Sequence, residues 1–209
     1  MKIYSQTLPG QTKKLVEILQ KDKPSFLQGF YLSGGTALSL QIGHRESEDL
    51  DFFSQETFDP SKLQANLEEY GKLGDLELAK GTLNTYLDGV KLQFLEYPYS
   101  LLENTFDWVG IKLSSVEDIA CTKLQTIGMR GSKKDFIDLY FILQDYSLEE
   151  LFDKLQQKYR DSDFSQTHIL KSLVYFEDAD HQPMPRMHKQ VEWEEIKREI
   201  IKRVKDLPL

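Results

Sequence analysis

The chain has a single cysteine, Cys121, which cannot close an internal disulfide. A disulfide-stapled scaffold is therefore excluded. No stretch approaches the roughly 18 to 20 uninterrupted apolar residues of a membrane span, and the N-terminal residues carry no apolar segment of the kind that directs secretion. A soluble chain without membrane contacts is expected, with the cytoplasm as its default compartment. Positive charge is also in short supply: 26 Lys and Arg face 34 Asp and Glu, a net charge of -8. That balance argues against a protein held on nucleic acid by bulk charge, although a local basic patch is compatible with it. The four histidines show neither HExxH nor Cys-His spacing, so no zinc site is indicated. GxSxG is missing, which removes the hydrolase nucleophile elbow. No internal repeat, low-complexity tract or Pro/Gly/Ser linker cuts the 209 residues.

Enough apolar material is present, 40% hydrophobic with 11% aromatic, to fill an ordinary core. Thr12 to Asp22 sets Leu15, Ile18 and Leu19 on one helical face. Phe30 to Ser33 reads as a short strand ending at Gly34 and Gly35, and helical spacing resumes over Thr36 to Ile42. Asp49 to Phe53, DLDFF, alternates, so Asp49 and Asp51 point to one side of a strand. Asp59-Pro60 reads as a cap and first turn of a helix through about Leu73. The alternating segment that follows contains Asp88-Gly89, a two-residue hairpin signal. From Ser115 onward helices are expected: one opened by that Ser cap, another after the Gly131 break, and others over Leu148 to Tyr159, Gln166 to Phe176 and Trp193 to Val204. The fold class is α+β, a small mixed sheet flanked by helices and followed by a helical C-terminal half.

The segment Gly34 to Phe53, GGTALSLQIGHRESEDLDFF, carries the sharpest signal for chemistry. A glycine pair lets the backbone approach a phosphate closely, and N-H groups at the following helix start can bind its oxygens. Two carboxylates two residues apart on a strand can hold Mg²⁺ against the same phosphates. No GK[ST] follows the glycines, which excludes a P-loop. Strand, glycine turn, helix and DxD strand together are similar to the nucleotidyltransferase superfamily pattern.

Within that superfamily, the segment resembles the first motif of the AbiEii/AbiGii toxin family, where GGTAL is followed by HRxSxDLDF; His44, Arg45, Ser47, Asp49 and Asp51 all fit. EDIACTKLQTIGMRGSKKDFIDLYFIL is similar to that family's helical motifs, with a Lys on one helix and KDxxDLY on the next. The resemblance implies a nucleotidyltransferase fold, with a core over 1–110 and a helical region over 111–209 that packs on it and completes the site. It also implies metal-dependent transfer of a nucleoside monophosphate from an NTP, with Mg²⁺ or Mn²⁺ as cofactor. The acceptor would be a hydroxyl at an RNA or tRNA 3′ end or on a protein, and the chain would be the toxin of a toxin-antitoxin or phage-defence pair, with a cognate antitoxin as partner. Other readings are a small-molecule transferase of the antibiotic-modifying type, or a degenerate relative that binds nucleotide or a partner.

Under the resemblance Asp49 and Asp51 ligate the metal, Gly34, Gly35 and Thr36 position the phosphates, and Ser47 belongs to the nucleotide-binding motif. Lys123 reaches the triphosphate, and Arg130, seven residues on and thus on nearly the same helical face, adds a second positive contact. Arg45 either contacts phosphate or orients an aspartate of the DxD. Asp135 and Asp138, on one face of a helix, suit a shared metal, a partner for Lys123 or a helix-orienting role. Gln93 stands on the strand where many nucleotidyltransferases carry a third carboxylate. Either two carboxylates suffice, with Asp135 or Asp138 completing the site, or the enzyme is impaired; the first is expected.

Overall fold

The computed structural model describes residues 2–207; the outer ends of the two expected regions, at residues 1, 208 and 209, lie outside them. A mixed seven-stranded sheet forms the centre. Its strands are β1 (Tyr31–Ser33), β2 (Leu50–Ser54), β3 (Leu73–Ala79), β4 (Thr82–Leu87), β5 (Val90–Glu96), β6 (Phe106–Trp108) and β7 (Ile111–Leu113), in the spatial order β3-β4-β5-β2-β1-β7-β6. The pairs β1-β7 and β2-β5 are parallel and the others antiparallel. The division expected at residue 110 falls inside the β6-β7 hairpin, whose second strand joins the sheet beside β1.

The helices are α1 (Gly10–Asp22), α2 (Gly34–Ile42), α3 (Pro60–Glu68), α4 (Val116–Met129), α5 (Lys133–Ile142), α6 (Leu148–Lys158), α7 (Gln166–Leu173), the short α8 (Glu177–Asp180) and α9 (Trp193–Lys205). Local chemistry explains most of their ends. Asp59 accepts from the Ser61 and Lys62 amides, with Pro60 in the first turn of α3. Ser115 caps α4, and Ser132 with Asp135 makes a reciprocal capping box on α5. Asp88 and Gly89, both at positive φ, make the expected tight turn between β4 and β5. Two expectations are corrected. The helix from Pro60 stops at Glu68, because Leu73 already begins the edge strand β3, and α7 ends at Leu173, with α8 following after a break.

Alternation along the strands separates two faces of the sheet. Leu50, Phe52, Leu83, Leu87, Val90, Leu92 and Phe94 are buried in one continuous apolar core with residues of α1, α2 and α3. Asp51, Phe53, Asn84, Tyr86, Lys91, Gln93 and Leu95 occupy the opposite face. Helix α4 covers the part of that face nearest β2, which leaves a cleft between helix and strands.

Candidate active site

The cleft has a volume of about 320 Å³, within the range of small-ligand sites. Its floor is Asp51 and Gln93, with Phe53, Leu95 and Tyr97 continuing along the sheet. Its roof is one stripe of α4, Ile119, Thr122, Lys123 and Thr126 at helical spacing, continued by Arg130 just past the helix end. Gly34 and Gly35 close one end and Asp135 reaches its edge. The sequence reading singled out Lys123 and Arg130 but not Thr122, Gln125, Thr126 or Met129, although the i, i+3, i+4, i+7 pattern through Lys123 points to most of that stripe.

Both glycines are required by close approach. Gly34 has a φ of +65°, and a Cβ built there would lie 2.4 Å from Asp51 Oδ2; a Cβ on Gly35 would lie 2.6 Å from Arg45 Nη2. Gly34→Ala is accordingly expected to lower the melting temperature, with about 1–2 kcal/mol from the left-handed backbone alone, and to displace the Asp51 carboxylate. A thermal melt together with an activity assay checks both parts of that expectation.

Asp51 is partly exposed to the cleft and pairs in register with Gln93 on one side and Ser33 on the other. Its carboxylate has no hydrogen-bond or ion-pair partner among the described residues. Burial, reinforced by the nearby Asp49, raises its pKa to about 6. Asp49 lies just before β2, and it lines a second cavity rather than the cleft, with Pro9, Gln11, Tyr86 and Lys91. Gln93 does occupy the neighbouring strand position opposite Asp51.

Behind the roof is a buried ion network. Asp138, fully buried, accepts from Arg45 Nε at 2.7 Å and Nη2 at 2.8 Å and from His44 Nε2 at 2.7 Å, and pairs with Lys123 Nζ at 2.6 Å. Lys123 also donates to Asp135 Oδ1 at 2.8 Å, while Asp135 Oδ2 takes the Ser132 hydroxyl at 2.6 Å. Burial works to raise the Asp138 pKa, but Arg45 and Lys123 outweigh it and hold the carboxylate well below its ordinary value. Burial works equally against charge on Lys123, where Asp138 and Asp135 prevail and the amine stays charged. His44 is kept neutral chiefly by burial; with its Nε2 proton facing Asp138, its Nδ1 is buried without a partner.

This arrangement corrects several sequence expectations. Arg45 neither lines the cleft nor pairs with the DxD; its Nη1 donates to the Glu46 carbonyl at 2.9 Å. Asp138 has both oxygens engaged twice and Asp135 has both engaged; of the three readings offered the geometry matches the partner of Lys123 for both and, through the capping box with Ser132, the helix-orienting role for Asp135. The Thr36 hydroxyl is buried, donates to the Asp49 carbonyl and lies 2.9 Å from the Ser47 hydroxyl. Both side chains thereby tie the loop to the helix start, and what Thr36 still offers a ligand is its backbone N-H. Arg130 is exposed at the cleft rim, 3.7 Å from Asp135. Sequence reading also missed a strap. Residues Arg186 to Lys189 lie along the His44–Glu46 loop, with Glu46 N donating to Arg186 O at 2.8 Å and His188 N to His44 O at 2.8 Å.

Among the described residues no group of three or more His, Cys, Asp or Glu is placed to hold a metal. Two unpartnered hard-oxygen carboxylates nevertheless fit a cation of the Mg²⁺ type, which keeps several waters and is usually shared between one or two carboxylates and substrate phosphates.

The family described as nucleotidyl transferase AbiEii toxin, type IV TA system, matches residues 17–207. An uncharacterised protein of Aquifex aeolicus (strain VF5) is 42% identical over 185 residues, covering 85% of this chain and 87% of that one. Among solved structures, one described as a putative nucleotidyltransferase from H. pylori aligns over 94% of both chains with a TM-score of 0.57 at 19% identity. The nucleotidyltransferase toxin MenT4 from Mycobacterium tuberculosis H37Rv aligns over 98% of this chain and 88% of its own with a TM-score of 0.52 at 15% identity. These two structures share the fold. On its sequence, this chain belongs to the AbiEii nucleotidyltransferase toxin family and is a transferase.

Proposed function

We propose that the protein transfers a nucleoside monophosphate from an NTP to an acceptor hydroxyl, with release of pyrophosphate. The observation that carries this reading is the unpartnered Asp51 carboxylate on the cleft floor, backed by the Gly34 turn and faced by a buried lysine that its neighbours keep charged. A cleft with the free Asp51 carboxylate on its floor, Asp49 two residues earlier just before the same strand, and cations along its roof suits a metal-triphosphate.

Asp49 and Asp51 would hold Mg²⁺ or Mn²⁺, which when bound supplies charge neutralisation at the phosphates and a more acidic acceptor hydroxyl. Lys123 uses two of its three donors on Asp135 and Asp138 and presents the third to the triphosphate. The backbone N-H groups of Gly34, Gly35 and Thr36 open helix α2 and face the same anion. Arg130 adds positive charge at the rim. Phe53 and Tyr97, with ring centroids 4.8 Å apart, give the nucleoside an apolar wall. Asp135, Asp138 and Arg45 act as positioning residues, because their contacts fix Lys123 and the loop rather than reach the ligand. The type IV toxin-antitoxin assignment of the family supports a toxin role and a cognate antitoxin.

Incubation with each α-³²P-labelled NTP and Mg²⁺, together with total RNA or total protein, tests the reading. Label entering RNA or protein with the wild type and lost with Asp49→Asn/Asp51→Asn is the expected result. No labelled acceptor with any of the NTPs would overturn it.

A further inference from the structure

The cleft changes character along its length. Its floor has two rungs, because β2 and β5 run side by side in parallel: Asp51 lies opposite Gln93, and two residues on Phe53 lies opposite Leu95. The glycine turn adjoins the first rung, since Ser33 pairs with Asp51, and Tyr97 follows the second. The roof keeps the same order. Arg130 is close enough to favour ionised Asp51, whereas Thr122, two turns earlier, adjoins the Tyr97 and Tyr159 phenols. Gln93 on the floor and Thr126 on the roof therefore occupy the middle, between a charged end and an aromatic one.

Both middle groups offer acceptors. Thr126 is half-buried and its hydroxyl donates to the Thr122 carbonyl at 2.8 Å, which leaves its lone pairs for the cleft. The Gln93 side chain is also half-buried, and its amide has no hydrogen-bond partner among the described residues. Its cross-strand neighbour Asn84 uses Nδ2 on Glu77 Oε2 at 3.4 Å, and Asn84 Oδ1 is buried without a partner. A buried acceptor left unpaired is costly, so it draws Gln93 Nε2 toward itself and turns Gln93 Oε1 to the cleft. Two neutral acceptors, one on the floor and one on the roof, suit a ligand that brings two donors there; a phosphate, which accepts, does not. In a nucleoside triphosphate laid from the charged end to the aromatic end the middle is the sugar, and its adjacent 2′ and 3′ hydroxyls are the two donors.

Resting on the proposed use of an NTP, we infer that Gln93 and Thr126 clasp the ribose diol of the bound nucleotide, Gln93 Oε1 accepting from one hydroxyl and Thr126 Oγ1 from the other, and so select ribonucleotides over deoxyribonucleotides. The neutral side chain beside Asp51 thereby serves substrate choice. A deoxynucleotide would leave one of the two acceptors unpaired in a closed cleft, and that loss is the source of the selectivity.

The test is calorimetric binding of α,β-methylene ATP, CTP, GTP and UTP, whose bridging carbon blocks transfer, and of their 2′-deoxy counterparts, to the full-length protein with Mg²⁺. The wild type should bind its preferred ribonucleotide analogue at least about tenfold more tightly than the deoxy form. In Gln93→Leu/Thr126→Val, which keeps side-chain volume but removes both acceptors, the two affinities should come within about twofold of each other. Thr126→Ser, which retains the hydroxyl, should keep the wild-type preference. Melting curves establish that the variants fold, and the wild-type comparison needs no variant. Equal affinity for ribo and deoxy analogues in the wild type overturns the clasp, as does a preference that persists undiminished in the folded double variant. The two readings fail separately. A ribonucleotide preference lost in the double variant, with no labelled acceptor in the α-³²P assay, sinks the transfer reaction and keeps the clasp, whereas transfer that uses dNTPs as readily as NTPs does the reverse.

Discussion

Asp51→Asn should abolish activity and make the protein more stable. If Asp51 holds the metal as proposed, its removal forfeits several kcal/mol of transition-state stabilisation, a loss of about a thousandfold or more in rate. The stability change follows from the raised pKa. Asp51 titrates at about 6 in the folded chain, above its ordinary 3.8, so the unfolded chain ionises first and folding loses stability as pH rises between those values. At pH 7 to 8 the ionised carboxylate costs on the order of 3 kcal/mol, which the neutral amide avoids. The variant should therefore melt several degrees higher at pH 7.5, and the gain should fade as pH falls toward 4. Mg²⁺ with NTP should raise the melting temperature of the wild type, through binding to the folded state, and not that of the variant. Melting curves at the two pH values, with and without ligands, check each part.

Asp138→Asn should behave in the opposite way. This carboxylate is fully buried and neutralises Arg45 and Lys123 while accepting from His44. Breaking a buried pair by removing one partner leaves uncompensated charge and typically costs about 3–5 kcal/mol, a large share of the roughly 5–15 kcal/mol that holds a domain folded. Here two cations lose their shared partner, and the loop bearing Ser47 and Asp49 loses its anchor. A sharply lower melting temperature and poor yield of folded protein are expected, with activity falling as a consequence. The folded pKa lies well below the ordinary value, so the stabilisation is present above about pH 4 and is lost as pH falls through the folded pKa. A variant that melts like the wild type would show that the network does not carry this load. On the proposed reading, two aspartates of comparable prominence in the motifs separate into one that acts on ligand at a cost in stability and one that holds the site together.

Where the chain announces its structure through local chemistry, the sequence was readable. Asp59-Pro60, Asp88-Gly89, Ser115 and Gly131 each mark an element end by a cap, a turn or a break that depends on few neighbours. Strands β6 and β7 escaped because three residues are too short to show a period, and their turn opens with Val109 at a φ of +54°, a residue that signals no turn. The cleft was partly legible: Gly34, Asp51, Lys123 and Arg130 all line it. The pairing of Arg45 with Asp138 was not, since it joins residues 93 apart and rests on burial, which no local pattern reports. The strap over His44–Glu46 bonds backbone to backbone and is largely independent of side-chain type. The division of Asp49 and Asp51 between two cavities likewise required the position of α4, because strand alternation alone places both carboxylates on one side.

Nucleotidyl transfer at this cleft requires attack on the α-phosphorus and requires Asp51 for that attack. Parallel reactions with the same NTP labelled at the α or the γ position, with Mg²⁺ and the acceptor found in the RNA or protein fraction, measure this directly for the wild type and Asp51→Asn. Label from the α position alone should enter the acceptor, matched by released pyrophosphate and missing with the variant. Label entering from the γ position, or α transfer that persists at full rate in Asp51→Asn, would contradict nucleotidyl transfer at this cleft.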